Sequence, residues 1–213
     1  FDLGRKNFAA FLLHVDKHTL DKLRSYKDGA NVAAADTETR IVHWENGPLD
    51  GDSGDGIPQL VQCLTNHVRS RWDLFEPVEC VVIEQQLLRN PAMKCAAHAL
   101  QAIFAFHGKQ VLLLPAKSKF RAFPGAINGG ERSAQLKRAS IRAMQAWLVT
   151  YQGRTSSGVT AASLALVANG GGGGHNCKLD DLCDAGLQAI SSLYLFAQTS
   201  RSRAGAAAAA KQQ

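Results

Sequence analysis

Five carboxylates stand at the ends of apolar elements. Asp2 precedes Gly4, Glu84 closes the run VVIE, and Asp180, Asp181 and Asp184 fall together in KLDDLCDAGL. On a helix, Asp181 and Asp184 are i and i+3 and share one face, flanked by Leu182, Cys183 and Leu187. Two carboxylates on a half-buried face repel one another unless a cation lies between them. With Asp2 and Glu84 supplied by neighbouring strands, four acidic groups can surround two divalent metals about 4 Å apart, the arrangement that activates water and stabilises the leaving oxygen in phosphodiester hydrolysis. An all-oxygen ligand set favours Mg²⁺ or Mn²⁺ over zinc. Structural uses compete: Asp180 or Asp181 could cap the helix, and Glu84 could pair with an Arg. Neither accounts for Asp181 and Asp184 together. Two other sets are weaker. The loop NGPLDGDSGDG from Asn46 to Gly56 lacks the Glu that a calcium-binding EF-hand carries at its twelfth position. His175 with Cys177 and Cys183 lacks the spaced pairs of a structural zinc site and reads as a loop His near the metal centre or the phosphate.

The elements that hold these carboxylates follow from the apolar pattern. Phe8 to Val15 and Arg40 to Trp44 read as strands, and with Asp2-Leu3-Gly4 they predict an antiparallel three-stranded start. His18 to Ala35 is an inserted turn or short helix, and Asn46 to Gly56 is loop. Ile57, Leu60, Val61, Leu64, Val68 and Trp72 fall at helical spacing behind Pro58, which predicts one face packed on the sheet. VECVVIE, the helix-like Lys94 to His107 and QVLLL form a βαβ unit with a buried parallel pair. Residues 131–151 predict a long helix with Leu136, Met144, Trp147, Leu148 and Tyr151 inward. A short helix over Val159 to Val167, five glycines at 170–174 and a final helix from Leu179 to Phe196 complete the domain.

Composition bounds the class. Of 213 residues, 46% are hydrophobic and 20% charged, which excludes a disordered chain, and no run approaches the roughly 18 apolar residues of a membrane span. Twenty-four Lys and Arg against eighteen Asp and Glu leave +6, which favours an anionic partner such as nucleic acid. Five scattered cysteines, an odd number, fit reduced thiols in an intracellular rather than a secreted protein. We expect a single domain over 1–200, an Ala-rich basic tail over 201–213, and a few residues missing before Phe1.

Three segments carry a resemblance: Asp2-Leu3-Gly4-Arg5-Lys6-Asn7, Val82-Ile83-Glu84-Gln85-Gln86, and Lys178-Leu179-Asp180-Asp181-Leu182-Cys183-Asp184-Ala185. In order and placement they resemble the RuvC-like Holliday junction resolvases, in particular the branch of large eukaryotic DNA viruses, the poxvirus type, and of fungal mitochondria. The resemblance implies an α/β, ribonuclease H-like fold with a mixed five-stranded sheet flanked by helices. It also implies a homodimer that nicks four-way DNA junctions symmetrically with Mg²⁺, Mn²⁺ substituting. The location implied is a viral replication site in the host cell or a mitochondrion. By position, Asp2, Glu84, Asp181 and Asp184 match the family's metal-binding carboxylates. Asp180 matches an acidic position preceding the last pair, and the i, i+3 spacing favours Asp181 over it. Lys119 with Phe120 resembles a Lys-Phe pair that orients the scissile phosphate or water. Lys117, Lys119 and Arg121 follow the strand VLLLP where the family places DNA-contacting loops, and Lys137, Arg138 and Arg142 line the next helix. Leu87 and Leu88 stand where bacterial members carry a junction-probing aromatic. In a dimer, Leu100, Ile103, Phe104 and Phe106 of the Lys94 to His107 helix are candidates for the interface.

Three other readings compete. Another ribonuclease H-like nuclease, acting on RNA/DNA hybrid or structured nucleic acid, would use the same chemistry. An actin-like phosphotransferase shares D-x-G but needs further glycine-rich phosphate turns that the sequence lacks. A catalytically dead junction-binding module would leave clustered carboxylates without a cation to offset them.

Overall fold

The computed structural model describes residues 1–3, 8–19, 21, 39–47, 56–86, 90–121, 123, 133–150, 165, 167 and 179–193. Three strands open the chain as an antiparallel sheet: β1 (Asp2–Leu3), β2 (Phe8–Val15) and β3 (Thr39–Gly47). β2 sits between the other two, with Asp2 opposite Ala9 and Phe11 opposite Trp44. A register shift at Leu12/Leu13 brings Leu12 opposite His43 and Leu13 opposite Ile41, so Trp44 and Ile41 share one face of the sheet. β3 extends through Asn46 and Gly47, two residues into the segment expected to be loop.

The βαβ unit forms as its apolar runs predict. β4 (Cys80–Gln85) and β5 (Gln110–Pro115) pair in parallel, with Glu84 beside Leu114. We label the helices α1 (Ile57–Ser70), α2 (Trp72–Phe75), α3 (Pro91–Phe106), α4 (Ser133–Thr150) and α5 (179–193). The crossover, α3, is bounded by local chemistry. Asn90 accepts a hydrogen bond from the Met93 N–H at 3.3 Å, and Pro91 starts the first turn. At the other end Gly108 adopts φ 73°, and N–H groups of Gly108 and Lys109 return to the carbonyls of Ala105 and Phe104, both at 3.0 Å.

All five expected strands are present, but they pair as a three-stranded and a two-stranded sheet rather than as one ladder. The reason is the length of β1. Among the described residues it is the backbone of Phe1 that bridges to β4, its nitrogen donating to the Val82 carbonyl at 2.6 Å and its carbonyl accepting from the Glu84 N–H at 3.2 Å.

Helices cover both faces. On one, α1 and α3 bury Leu60, Leu64, Val68, Leu100 and Phe104 against Leu3, Phe8, Val81 and Ile83. Phe1 stacks there among Phe8, Phe75 and Phe104, with ring centres 5.3–5.6 Å apart. On the other face, α4 and α5 enclose Phe11, Ile41, Trp44, Met144, Trp147 and Leu182. A 3₁₀ turn, Ala116–Phe120, follows β5 and tucks Phe120 into this second core.

The inward sets differ in part from the apolar periodicity. On α1, Ile57 is exposed while Cys63 and His67 are buried, and Trp72 belongs to α2. On α3, Leu100 and Phe104 are fully buried within the chain's own core and are not available to a partner; Ile103 packs against that core, and Phe106 is 88% exposed. The correction is geometric. α3 lies between the β4–β5 pair and α1, so its apolar face is wider than one sheet contact requires. The inward positions expected on α4 hold at Met144 and Trp147, with Leu136 and Leu148 partly buried; Tyr151 lies outside the described residues.

α1 is also fastened to β3 by charge. Glu45 meets His43 Nε2 and His67 Nε2, each at 3.2 Å, and Arg71 Nε at 3.7 Å. Burial alone would push the Glu45 carboxyl up, but the two imidazoles beside it outweigh burial and hold it down at about 2 against an ordinary 4.5. A depressed carboxyl stabilises the fold above its unfolded value and loses that contribution as pH falls from 4.5 towards 2. Glu45→Gln is therefore expected to cost about 2 kcal/mol at pH 7, discounted for the group's partial exposure, and progressively less below pH 4.5. Urea unfolding of both proteins at pH 7 and pH 3 checks this. An equal gap at both pH values would show that the carboxyl is not depressed.

Candidate active site

The apolar strand β4 delivers Glu84 to the α5 side. Val81 and Ile83 point into the α1–α3 core, so Glu84, the next residue along the strand, faces the other way, and its side chain is largely buried. α5 brings Asp181 and Asp184 to the same place on one face. It is held there by two contacts that no local pattern shows. The Trp44 indole N–H donates to the Leu182 carbonyl at 3.0 Å across 138 residues, and the Ser191 hydroxyl donates to the Lys119 carbonyl at 2.6 Å across 72. Gly186 lets α5 approach closely, since a Cβ there would lie 3.1 Å from Met144 Sδ and Cε.

Lys119 sits between the acids. It is buried at 8% exposure, its Nζ donates to Asp184 Oδ2, and the same nitrogen lies 4.0 Å from Glu84 Oε2 and 5.7 Å from the Phe120 ring centre. Burial raises the Glu84 pKa above the ordinary carboxyl value; the Lys119 charge pulls it back down, and the negative charges of Asp184 and Asp181 push it up again. Lys119 thus offsets part of the negative charge of this acidic cluster. Its burial also sets it apart from Lys117 and Arg121, which are exposed.

Asp180 goes elsewhere. Its carboxylate accepts from Lys137 Nζ on α4, and that hydrogen bond, more than the neighbouring acids, raises the Lys137 pKa. Lys137 therefore ties α4 to the start of α5, while Arg138 and Arg142 on the same helix are exposed. Asp2 is on β1 opposite Ala9, in the strand bridged to β4 through Phe1; its side chain lies outside the described residues. So do Leu87, Leu88, the glycine run, His175, Cys177 and the tail beyond residue 193.

Hard oxygen donors suit Mg²⁺ or Mn²⁺. Among the described residues no three His, Cys, Asp or Glu side chains already converge as a finished metal site. Asp184 Oδ1, however, is buried with no hydrogen-bond partner among those residues, and a buried carboxylate oxygen left bare is a place where a cation or its water fits. Glu84, Asp181 and Asp184 are thus chemically suited to a divalent ion.

Strands in a three-plus-two arrangement with helices on both faces define a mixed α/β fold. A solved structure that it resembles is the yeast mitochondrial Holliday junction resolvase. The TM-score is 0.61 at 14% identity, over 95% of this chain and 80% of that one. No protein-family profile matches the chain, and no curated protein sequence matches it significantly.

Proposed function

We propose that the protein is a structure-specific endonuclease that resolves four-way DNA junctions by metal-dependent phosphodiester hydrolysis, acting as a symmetric homodimer on a ribonuclease H-like domain. The observation that carries this reading is the meeting of Glu84 and Asp184 at the buried ammonium of Lys119, in a fold shared with a Holliday junction resolvase. Asp2, Glu84, Asp181 and Asp184 would hold Mg²⁺. An ion held there would supply activation of a water and offset charge on the leaving oxygen. Lys119 relieves repulsion among the carboxylates and presents an ammonium where a phosphate oxygen would lie. A two-fold dimer would match the two equivalent scissile phosphates of a junction with one site per protomer.

The test is a labelled four-way junction incubated with the protein and Mg²⁺ or Mn²⁺, beside linear duplex and an RNA/DNA hybrid. Paired symmetric nicks in the junction support the reading. Preferential cutting of the hybrid would turn it to a ribonuclease of the same fold, and no cutting of any substrate would defeat it.

Affinity should come from exposed cations. Each phosphate neutralised contributes about −0.9 to the slope of log K against log salt. Replacing exposed Lys117 and Arg121 together by Ala is expected to flatten the slope by up to about two units and to weaken junction and duplex binding alike, because backbone contacts carry no sequence information. Lys137→Ala should flatten it by less than about one unit, its charge being already engaged by Asp180. Binding titrations from 50 to 200 mM salt check both; an unchanged slope in the double variant would show that β5 and its turn face away from DNA.

A further inference from the structure

Along α5, Asp181, Asp184, Gln188 and Ser191 are spaced i, i+3, i+7 and i+10 and form a polar stripe on one face, beside the buried apolar residues Leu182, Leu187 and Ile190. Lys119 is attached to this stripe at both ends, its ammonium to Asp184 and its backbone carbonyl to Ser191. Seven residues of helix span about 10 Å, so the lysine runs along the stripe with Gln188 between its two anchors. Gln188 is only 2% exposed, yet neither Oε1 nor Nε2 has a hydrogen-bond partner among the described residues. A core amide in that state costs about 1–3 kcal/mol, and a Met or Leu in its place would not. One turn away lies the complementary deficiency, the buried Asp184 Oδ1, an acceptor without a donor.

Building on the nuclease reading, we propose that Gln188 is a positioning residue of this site. Its amide N–H groups hold Asp184 Oδ1 through one bridging water and so fix the orientation in which this carboxylate, with Glu84 and Asp181, would meet a divalent cation. Side chains that orient metal-binding carboxylates in this way typically contribute 10- to 100-fold to metal affinity or activity. The amide also accounts for a polar group in the middle of an apolar helix face, since packing alone would have favoured an aliphatic residue.

The experiment measures Mn²⁺ binding by calorimetry without DNA, in the wild-type protein, Gln188→Met, Asp184→Asn and the double variant, with thermal melts of each. Gln188→Met is expected to weaken Mn²⁺ binding about 10- to 100-fold while the melting temperature holds or rises, because an unpaired buried amide has been replaced by an apolar chain of similar volume. In the Asp184→Asn background the same change should add less than about threefold, since the group that Gln188 positions is already altered. Unchanged Mn²⁺ affinity in Gln188→Met, or an equal loss in both backgrounds, would overturn the proposal, as would a wild-type protein that binds no Mn²⁺. Junction cleavage, measured separately, distinguishes the two readings. A wild-type protein that binds Mn²⁺ but cuts no junction defeats the resolvase function and leaves Gln188 to be judged on metal affinity alone.

Discussion

Glu84→Gln is expected to lower four-way junction cleavage by about 10³-fold or more while junction affinity stays within about threefold of wild type. A metal ligand supplies several kcal/mol of transition-state stabilisation, and each 1.36 kcal/mol is a factor of ten. Phosphate contacts made by exposed Lys and Arg are untouched by the change, which is why binding survives. The substitution is close to isosteric and removes a charge that burial and the acids of α5 already disfavour, so the fold should tolerate it. Single-turnover cleavage and a binding titration on the same preparation check it. Cleavage at the wild-type rate would remove Glu84 from the site, and loss of binding in step with cleavage would mean that the change had disturbed the surface instead.

Lys119→Met is expected to produce the largest change in stability. The ammonium that it removes is buried, bonded to Asp184 and 4.0 Å from Glu84, and deleting one partner of a buried pair leaves the other uncompensated. The cost is about 3 kcal/mol in the absence of divalent ions. A second consequence separates this site from an ordinary ion pair. With the lysine gone, a divalent cation becomes the group that can offset the carboxylates, so saturating Mg²⁺ should recover much of the loss. An ion at 100 times its dissociation constant stabilises by about 2.7 kcal/mol. Melting curves with and without Mg²⁺ decide the matter. A variant as stable as wild type without metal would show that the pair contributes nothing. A variant that Mg²⁺ stabilises no more than wild type would show that the acids are not disposed around a cation.

The amino-acid order by itself determined the local elements and the types of residue that could do chemistry. The apolar run of β2, the alternation in β3 and the continuous apolar runs of β4 and β5 are patterns only a few residues long, and each formed a strand as its pattern predicts. The spacing of Asp181 and Asp184 likewise required only that their segment be helical. Tertiary structure decided everything that depends on which face meets which. It directed Leu100 and Phe104 of α3 into the chain's own core instead of towards a partner, and it reduced the expected single sheet to two, joined through Phe1. It also distinguished cations that look alike in sequence: Lys119 is buried against Asp184, Lys137 is tied to Asp180, and Lys117 and Arg121 remain exposed. Trp44, Ser191 and Gln188 carried no local signal at all. Their roles arise from hydrogen bonds made, or left unmade, between segments far apart in sequence, and the energy of a buried polar group depends on the partner that folding brings to it.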